Sequence, residues 1–462
     1  MTGLDLSGRS VRIHVVGIGG AGMGAIARVL AGMGHSVQGS DRVANEMTRS
    51  LAADGIVSWV GHRPDEVSGV AALAASTAVG PDDPEIRAAR ELGIPVLSRA
   101  EILASICAVR PCLAVAGTHG KTSTASLLAV TLEGAGRDPS YVIGGRVHQL
   151  GSGARWGTGP DFVVEADESD GTFCRLPRSL AVVTNLEPDH LEHHGSWEAL
   201  VERFDEFVDG TTGVTIVCLD DPGSADLLRR HDRVISYGTS EGADHRMVDV
   251  AADAHGVSWW VRSAEAATGL RIELPGLHNA RNATAAFVAA TAVGVTPADA
   301  AGALRTYQGV ARRFEPRGEA GGVRFIDDYA HLPGEVAAAV CAARTVTDRR
   351  LVVVFQPHRY SRTEWLGETF GPAFAGSDVV VVTDVYASGE APRPGISGRM
   401  VMTSAVDAVP DARVLYLPTR HDVVGHLPSL LRPGDLCLTL GAGDLTSWVD
   451  EIRDAVAERA AT

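Results

Sequence analysis

One short stretch constrains this chain more than any other: Ala114-Val115-Ala116-Gly117-Thr118-His119-Gly120-Lys121-Thr122. A β-rich run, Cys112 to Ala116, leads into a glycine turn, and an alanine- and leucine-rich run from Ser123 to Leu132 predicts a helix after it. Strand, glycine loop and helix in that order make a phosphate-binding loop. Main-chain N–H groups and the helix N-terminus receive phosphate oxygens, the Lys reaches the terminal phosphates, and the Thr hydroxyl ligates Mg²⁺. Val115 stands where the general G-x-x-x-x-G-K-[ST] pattern has its first Gly, so the tight turn falls to Gly117 and Gly120. Lys121 is the only lysine in the chain, with arginine supplying the other 40 of 41 basic residues. A composition so biased keeps Lys where a planar guanidinium cannot replace a compact ammonium. The stretch therefore predicts nucleotide triphosphate binding, with Gly117, Thr118, His119, Gly120, Lys121 and Thr122 around the phosphates.

The 462 residues leave room for about three domains. A formal charge of −16 argues against a nucleic-acid or anionic-membrane partner, both of which call for a basic face. Anionic substrates must then be met by local arginines, main-chain amides and Mg²⁺. The six cysteines are scattered without a C-x-x-C, which reads as reduced thiols. A strand expected from residue 11 leaves no room for a signal peptide, and no apolar run reaches the ~18 residues of a membrane span. The expected location is cytoplasmic.

At the N-terminal end, residues 11–16 read as a strand, Gly17-Ile18-Gly19-Gly20-Ala21-Gly22 as a G-x-G-x-x-G turn, and Met23 to Met33 as a helix. A second strand, Ser36 to Gly39, ends at Ser40-Asp41, about twenty residues on, where an acidic residue meets a ribose hydroxyl in dinucleotide-binding units. Glycines and helix dipole would hold any diphosphate, so UDP fits as well as NAD. Ser76-Thr77 closes a later strand, at the carboxyl end where ligands of such sheets sit.

Behind the phosphate loop, a strand from Phe162 ends in Glu165, Asp167, Glu168 and Asp170, and another from Ala181 ends in Asp189-His190. Hard Mg²⁺ takes oxygen ligands, and the residues nearest the strand ends, Glu165 and His190, are the candidates; the remaining carboxylates read as a solvated loop. His193 and His194 read as surface neighbours, with nothing at Zn spacing beside them. Asn279 and Asn282 lie i, i+3 at the start of a helix running to Ala292, which suits an adenine edge or a helix cap. From Ala311-Arg312-Arg313-Phe314 onward, four buried-type strands each end in polar residues. These ends are Asp327-Asp328-Tyr329-Ala330-His331, Gln356 through His358, Arg359 and Arg362, Asp384-Val385-Tyr386, and Gly441 to Asp444. Chemistry collected at the ends of apolar strands predicts a parallel sheet with a crevice there, and Arg359 with Arg362 forms a clamp for a carboxylate or phosphate.

Taken together, Gly17–Met23, Gly117–Thr122, Glu165–Asp170, Asn185–His190, Pro275–Asn282, Arg313–Phe314, Asp327–His331, Gln356–Thr363 and Asp384–Glu390 resemble the ATP-dependent Mur ligases of peptidoglycan synthesis, most closely their alanine-adding branch. The likeness spans almost the whole chain, and the family's shorter loop, G-T-x-G-K-[ST], accounts for Val115. The resemblance implies an α/β fold of three domains: residues 1–110 Rossmann-like and binding the UDP substrate, 111–312 a mostly parallel P-loop ATPase-like sheet, and 313–462 Rossmann-like, binding the amino acid and closing over ATP. The implied reaction joins L-alanine to the lactyl carboxylate of UDP-N-acetylmuramate through an acyl phosphate. Carried over by motif, Lys121 contacts the β- and γ-phosphates, Thr122 and Glu165 ligate one Mg²⁺, and His190 a second. Asn279, Asn282 and Arg313 hold adenine, with Asp327 or Asp328 near the ribose. Tyr329, His331, His358, Arg359 and Arg362 surround the acyl phosphate and the alanine. Gly17, Gly19, Gly20, Gly22, Ser40, Asp41, Ser76 and Thr77 hold UDP. The expected assembly is a monomer or weak homodimer.

Three departures stand out. The family's D-D-Y-A-H-H-P-T-E carries Leu332 in place of the second His and Gly334 in place of the Thr, and D-H-M-D reads Asp189-His190-Leu191-Glu192. The carbamylated lysine that bridges Mg²⁺ in several relatives is impossible with one lysine in the chain. The first departure motivates an alternative, a paralogous ligase taking a recycled peptide or another small amino acid. An NAD-dependent oxidoreductase built on Gly17–Gly22 and Asp41 leaves the phosphate loop unexplained.

Overall fold

The computed structural model describes residues 4–253 and 255–461. Its strands form three sheets in chain order. The first is parallel throughout, ordered Val57–Val60, Ser36–Asp41, Arg12–Val16, Ala72–Ala75, Val96–Ser98, with Arg12–Val16 in the middle. Helices Ala21–Gly32, Glu46–Ala53 and Pro84–Glu91 cross between its strands, and Arg99–Cys107 leads from Val96–Ser98 to the second sheet. Continuous apolar runs such as Ala72–Ala75 belong in such a sheet, because helices cover both faces.

The second sheet has ten strands. Its parallel heart runs Val234–Gly238, Thr211–Cys218, Arg178–Val183, Cys112–Ala116, Phe162–Glu165, Ser140–Val142. Cys112–Ala116 is buried at every position and lies between Arg178–Val183 and Phe162–Glu165. The loops carrying Gly117–Gly120, Glu165–Asp170 and Thr184–His190 therefore leave the sheet side by side at its carboxyl end. Strands His245–Asp253, Gly256–Arg262 and Ala267–Ile272, none of them expected from the sequence, extend one side, and Ala154–Arg155, antiparallel to Ser140–Val142, completes the ten.

The third sheet is parallel over Val323–Asp328, Leu436–Leu440, Leu351–Phe355, Val379–Val382 and Arg413–Tyr416. Glu315–Ala320 adds an antiparallel edge where the sequence reads as a glycine-rich turn. That strand is polar (Glu-Pro-Arg-Gly-Glu-Ala), since a sheet edge needs no apolar face, and so it carries no hydrophobic signal. Arg413–Tyr416, the other edge, is also outside the four strands expected; it is only four residues long and none of them is fully buried.

By compactness the described chain forms two units: Met1–Val248 with Val261–Thr268 and Asn282–Leu304, and Asp249–Trp260 with Gly269–Arg281 and Arg305–Thr462. The first sheet and the parallel heart of the second share the larger unit. Arg28 Nη1 donates to Ser152 Oγ at 3.1 Å, and a Cβ on Gly32 would lie 2.8 Å from that of Trp156. Among the described residues no helix is long and apolar enough to cross a membrane.

Candidate active site

The phosphate loop is built on two glycines that no other residue replaces easily. Gly117 has φ +129° and packs so tightly on Thr184 that a Cβ would overlap its hydroxyl. Gly120 has φ +76° and leaves 2.6 Å between a Cβ and Asn282 Oδ1. The helix Lys121–Gly134 starts directly after it. The expected ring of open amides is only partly present. Thr118 N–H donates to Asn185 O at 3.2 Å and His119 N–H to Asn185 Oδ1 at 2.7 Å, while the Thr118 hydroxyl donates to Glu187 O at 3.1 Å. Thr118 and His119 therefore hold the loop's shape with those groups, leaving Gly120, Lys121 and Thr122 as the amides at the helix N-terminus.

Lys121 Nζ donates to Gly117 O at 2.7 Å, Thr118 O at 3.2 Å and Glu168 Oε1 at 2.8 Å. Burial pushes the ammonium's pKa down, but Glu168, Asp167 and Glu165 outweigh it and hold it above its ordinary value, so Lys121 stays charged. Glu168 corrects the solvated-loop reading: it is 2% exposed, and burial lifts its carboxyl to about 7 against the pull of Lys121. Thr122 Oγ1 donates to Glu165 Oε1 at 2.9 Å, and Glu165 Oε2 accepts Gly144 N–H at 2.6 Å. A hydroxyl and a carboxylate converging at a strand end are an oxygen donor set that suits Mg²⁺. His190 adopts φ +53°, with its ring Nε2 3.3 Å from Asp189 Oδ2. His194 is no mere surface neighbour, because its Nε2 donates to Glu168 O at 3.0 Å.

In the first sheet, the N–H groups of Gly17 and Ile18 donate to Ser40 O at 2.9 and 3.1 Å, and Gly17 has φ +77° with Ser76 Cβ 3.0 Å from where its own would be. Gly20 caps the helix Ala21–Gly32. Two of the residues expected at the UDP moiety have partners of their own here. The Ser40 side chain is buried and donates its hydroxyl to Glu85, so it presents only a carbonyl to the turn. Asp41, expected at a ribose, accepts Gly19 N–H at 2.8 Å and Val43 N–H at 3.3 Å, and so braces the glycine turn. A Cβ on Gly22 would lie 2.9 Å from Arg99 Nε, and Arg99 reaches on to Asp167 at 3.7 Å. Arg99 was missed because a lone Arg at a helix start carries no sequence signal. Ser76 is half-buried and Thr77 exposed at the end of their strand.

The second unit holds its own cluster. Two guanidinium groups approach the ring of Tyr329, Arg312 at 4.8 Å and Arg313 at 4.9 Å from its centre. Arg312 and Phe314 have positive φ, +61° and +48°, and Phe314 N–H is fixed by Asp328 Oδ2 at 2.7 Å. Asp327 accepts the hydroxyls of Thr439 at 2.7 Å and Thr446 at 2.6 Å. Both aspartates are buried, Asp328 lifted to about 6 by that burial, and both serve the loop. The resemblance places one of them near the ribose; in this structure their carboxylates bond their own loop and strands. Asn279 is likewise engaged, its Nδ2 donating to Pro275 O at 2.7 Å, while Asn282 lies one turn on and buried.

His331 Nδ1 donates to Tyr329 O at 3.0 Å and lies 3.2 Å from Glu335 Oε2. The rings of Tyr329, His331, His358 and Tyr386 form a continuous file with centres 5.3, 5.8 and 5.7 Å apart. Arg362 Nη1 donates to His358 Nδ1 at 3.3 Å. Burial, with His331, Arg362 and Arg359 nearby, drives His358 down to about 3, so its imidazole is neutral. Arg359 has φ +67° where it caps the helix Tyr360–Leu366, and its N–H donates to Tyr386 O at 2.8 Å. Strained backbone at Arg312, Phe314 and Arg359, all beside one file of polar rings, is typical of a functional site.

Three domain models match the chain: Mur ligase family, catalytic domain, over residues 12–110; Mur ligase middle domain over 115–290; and Mur ligase, glutamate ligase domain, over 312–443. The chain is 46% identical to a UDP-N-acetylmuramate–L-alanine ligase of Kineococcus radiotolerans, with 99% of each chain covered. It is 42% identical to the enzyme of that name from Bradyrhizobium diazoefficiens, covering 94% of this chain and 96% of that one. Among solved structures, the UDP-N-acetylmuramate-alanine ligase of Thermotoga maritima superposes with a TM-score of 0.79 at 27% identity, over 98% of this chain and 99% of the other. A murein peptide ligase from Psychrobacter arcticus, at 24% identity and TM-score 0.70, shares the fold. The chain belongs to the Mur ligase family.

Proposed function

We infer that this chain is an ATP-dependent ligase that joins L-alanine to the lactyl carboxylate of UDP-N-acetylmuramate, a step of peptidoglycan precursor synthesis. The observation that carries this reading is end-to-end similarity to alanine ligases in a chain whose single lysine stands in the phosphate loop. The lactyl carboxylate attacks the γ-phosphorus of ATP, forming an acyl phosphate and releasing ADP. The alanine amine then attacks the acyl carbon, gives up a proton, and expels inorganic phosphate. Phosphorylation replaces an oxide leaving group by phosphate, and stabilising the charge on the transferring phosphoryl is the protein's main task.

Lys121 neutralises that charge, with the N-terminus of helix Lys121–Gly134 aimed at the phosphates. Thr122 and Glu165 would hold Mg²⁺, which when bound supplies further positive charge at the β- and γ-oxygens, and His190 is proposed for a second ion. The glycine turn at Gly17, Gly19, Gly20 and Gly22, with Ser76 and Thr77, is assigned to the UDP moiety. Asn279, Asn282 and Arg313 are assigned to adenine. Tyr329, His331, His358, Arg359 and Arg362 are assigned to alanine and the acyl phosphate, the arginines meeting carboxylate as forks do. On this reading the domains are residues 1–110, 111–312 and 313–462, and the enzyme works in the cytoplasm as a monomer or weak homodimer.

Leu332 is buried at the start of the helix Pro333–Thr345, directly after His331, and offers no polar group to an acceptor. It keeps a peptide or another small amino acid open as acceptor. Incubation with ATP, Mg²⁺, UDP-N-acetylmuramate and isotope-labelled L-alanine tests the reading. Label should move into a UDP-linked product of one added alanine, and failure of any such product to form under ATP turnover overturns the acceptor.

A further inference from the structure

An ammonium has three N–H donors, and the acceptors around Lys121 number three: Gly117 O, Thr118 O and Glu168 Oε1. Two are main-chain carbonyls of the loop that carries the lysine. The third is the only charged one, and it comes from another strand end. A phosphate oxygen therefore reaches Nζ only by replacing one of these, and the replaceable partner is a side chain able to swing away.

Glu168 is held in place by more than the lysine. Its carbonyl receives His194 Nε2–H at 3.0 Å, and its neighbour Asp167 caps Ser169 N–H at 3.1 Å while facing Arg99. Its second oxygen, Oε2, is buried with no hydrogen-bond partner among the described residues. A buried carboxylate with one oxygen unbonded is costly.

We propose that Glu168 is a positioning residue that competes with the terminal phosphate of the nucleotide for Lys121, so that nucleotide entry exchanges one anionic partner of the ammonium for another. This rests on the nucleotide-binding reading above. Competition keeps the lysine charged, ordered and aimed along the loop whichever anion it meets. It also lowers the apparent affinity for nucleotide.

Titration calorimetry with ATP tests this, once in EDTA and once with Mg²⁺, on the wild-type chain, Glu168→Gln and Glu168→Asp. Glu168→Gln keeps the size and removes the charge, and should bind ATP about tenfold more tightly in EDTA, the worth of one charge-assisted hydrogen bond. Glu168→Asp, one methylene shorter, should also bind more tightly, by less. A carboxylate that merely supported the fold or the metal would give weaker binding instead. Wild-type binding with no tightening in either variant overturns the competition and leaves the nucleotide reading standing. Absence of ATP binding by the wild-type chain in both buffers overturns the nucleotide reading, and the competition with it.

Discussion

Lys121 Nζ donates to Glu168 Oε1 at 2.8 Å, tying the first residue of the helix Lys121–Gly134 to the loop that follows strand Phe162–Glu165. The lysine's other two bonds, to Gly117 O and Thr118 O, require a compact donor head at the end of a flexible stem. A planar guanidinium carries its charge on a wider fork and cannot satisfy the same three acceptors. Lys121→Arg should therefore lower turnover at least about a hundredfold, the scale of losing a main electrostatic stabiliser. Binding of UDP-N-acetylmuramate, measured by calorimetry on the same variant, should stay near wild type.

The contact of Thr122 Oγ1 with Glu165 Oε1, at 2.9 Å, predicts a magnesium phenotype. Glu165→Gln should raise the Mg²⁺ concentration for half-maximal activity by about tenfold or more, and Thr122→Ser, which keeps the hydroxyl, should change it little. A Mg²⁺ titration of the initial rate distinguishes this from a general loss of activity, because excess metal should rescue Glu165→Gln in part.

Gly17→Ala asks an L-residue to adopt φ +77° with Ser76 Cβ only 3.0 Å away. The cost should be about 1–3 kcal/mol of stability, read by urea denaturation. Because Gly17 N–H and Ile18 N–H share the Ser40 carbonyl, the distortion should fall on the UDP site. KM for UDP-N-acetylmuramate should rise while KM for ATP stays close to wild type.

Glu85 gives a pH prediction. It is fully buried and accepts the Ser40 hydroxyl, Arg63 N–H at 2.7 Å and Trp59 Nε1–H at 3.3 Å, with His14 Nε2 3.4 Å away. Burial pushes its carboxyl up, but the bonds from His14, Ser40 and Arg63 together win and hold it at about 2. A carboxyl depressed in the folded state adds stability that is full above its unfolded value, ~4.3, and is lost as pH falls toward 2. Glu85→Gln should lower stability at pH 7 by on the order of 3 kcal/mol, and its stability should fall less steeply than wild type between pH ~4.3 and 2. Urea titrations at several pH values check both.

Much of this was legible in the sequence because apolar strands in parallel sheets announce themselves. Cys112–Ala116, Leu351–Phe355 and Leu436–Leu440 are buried at every position, and each leads to polar residues at its carboxyl end. What the sequence hides is how each polar group is used. Ser40, Asp41, Asp327 and Asp328 carry motif identities that suggest ligand contact, yet their side-chain partners here are hydroxyls, main-chain amides and a carboxylate of neighbouring strands, loops and a helix. Glu168 is the converse case. It shares a loop with three other carboxylates, and only the three-dimensional approach of Lys121 separates it from them. Arg99, Arg312 and Tyr386 act through distant neighbours, which spacing along the chain does not encode.

The choice of L-alanine as acceptor is tested most directly by following phosphate release from ATP with Mg²⁺ and UDP-N-acetylmuramate while amino acids and short peptides are supplied one at a time. Release that depends on the UDP substrate and is driven most strongly by L-alanine is the predicted result. Turnover on a peptide with no stimulation by any free amino acid would contradict it.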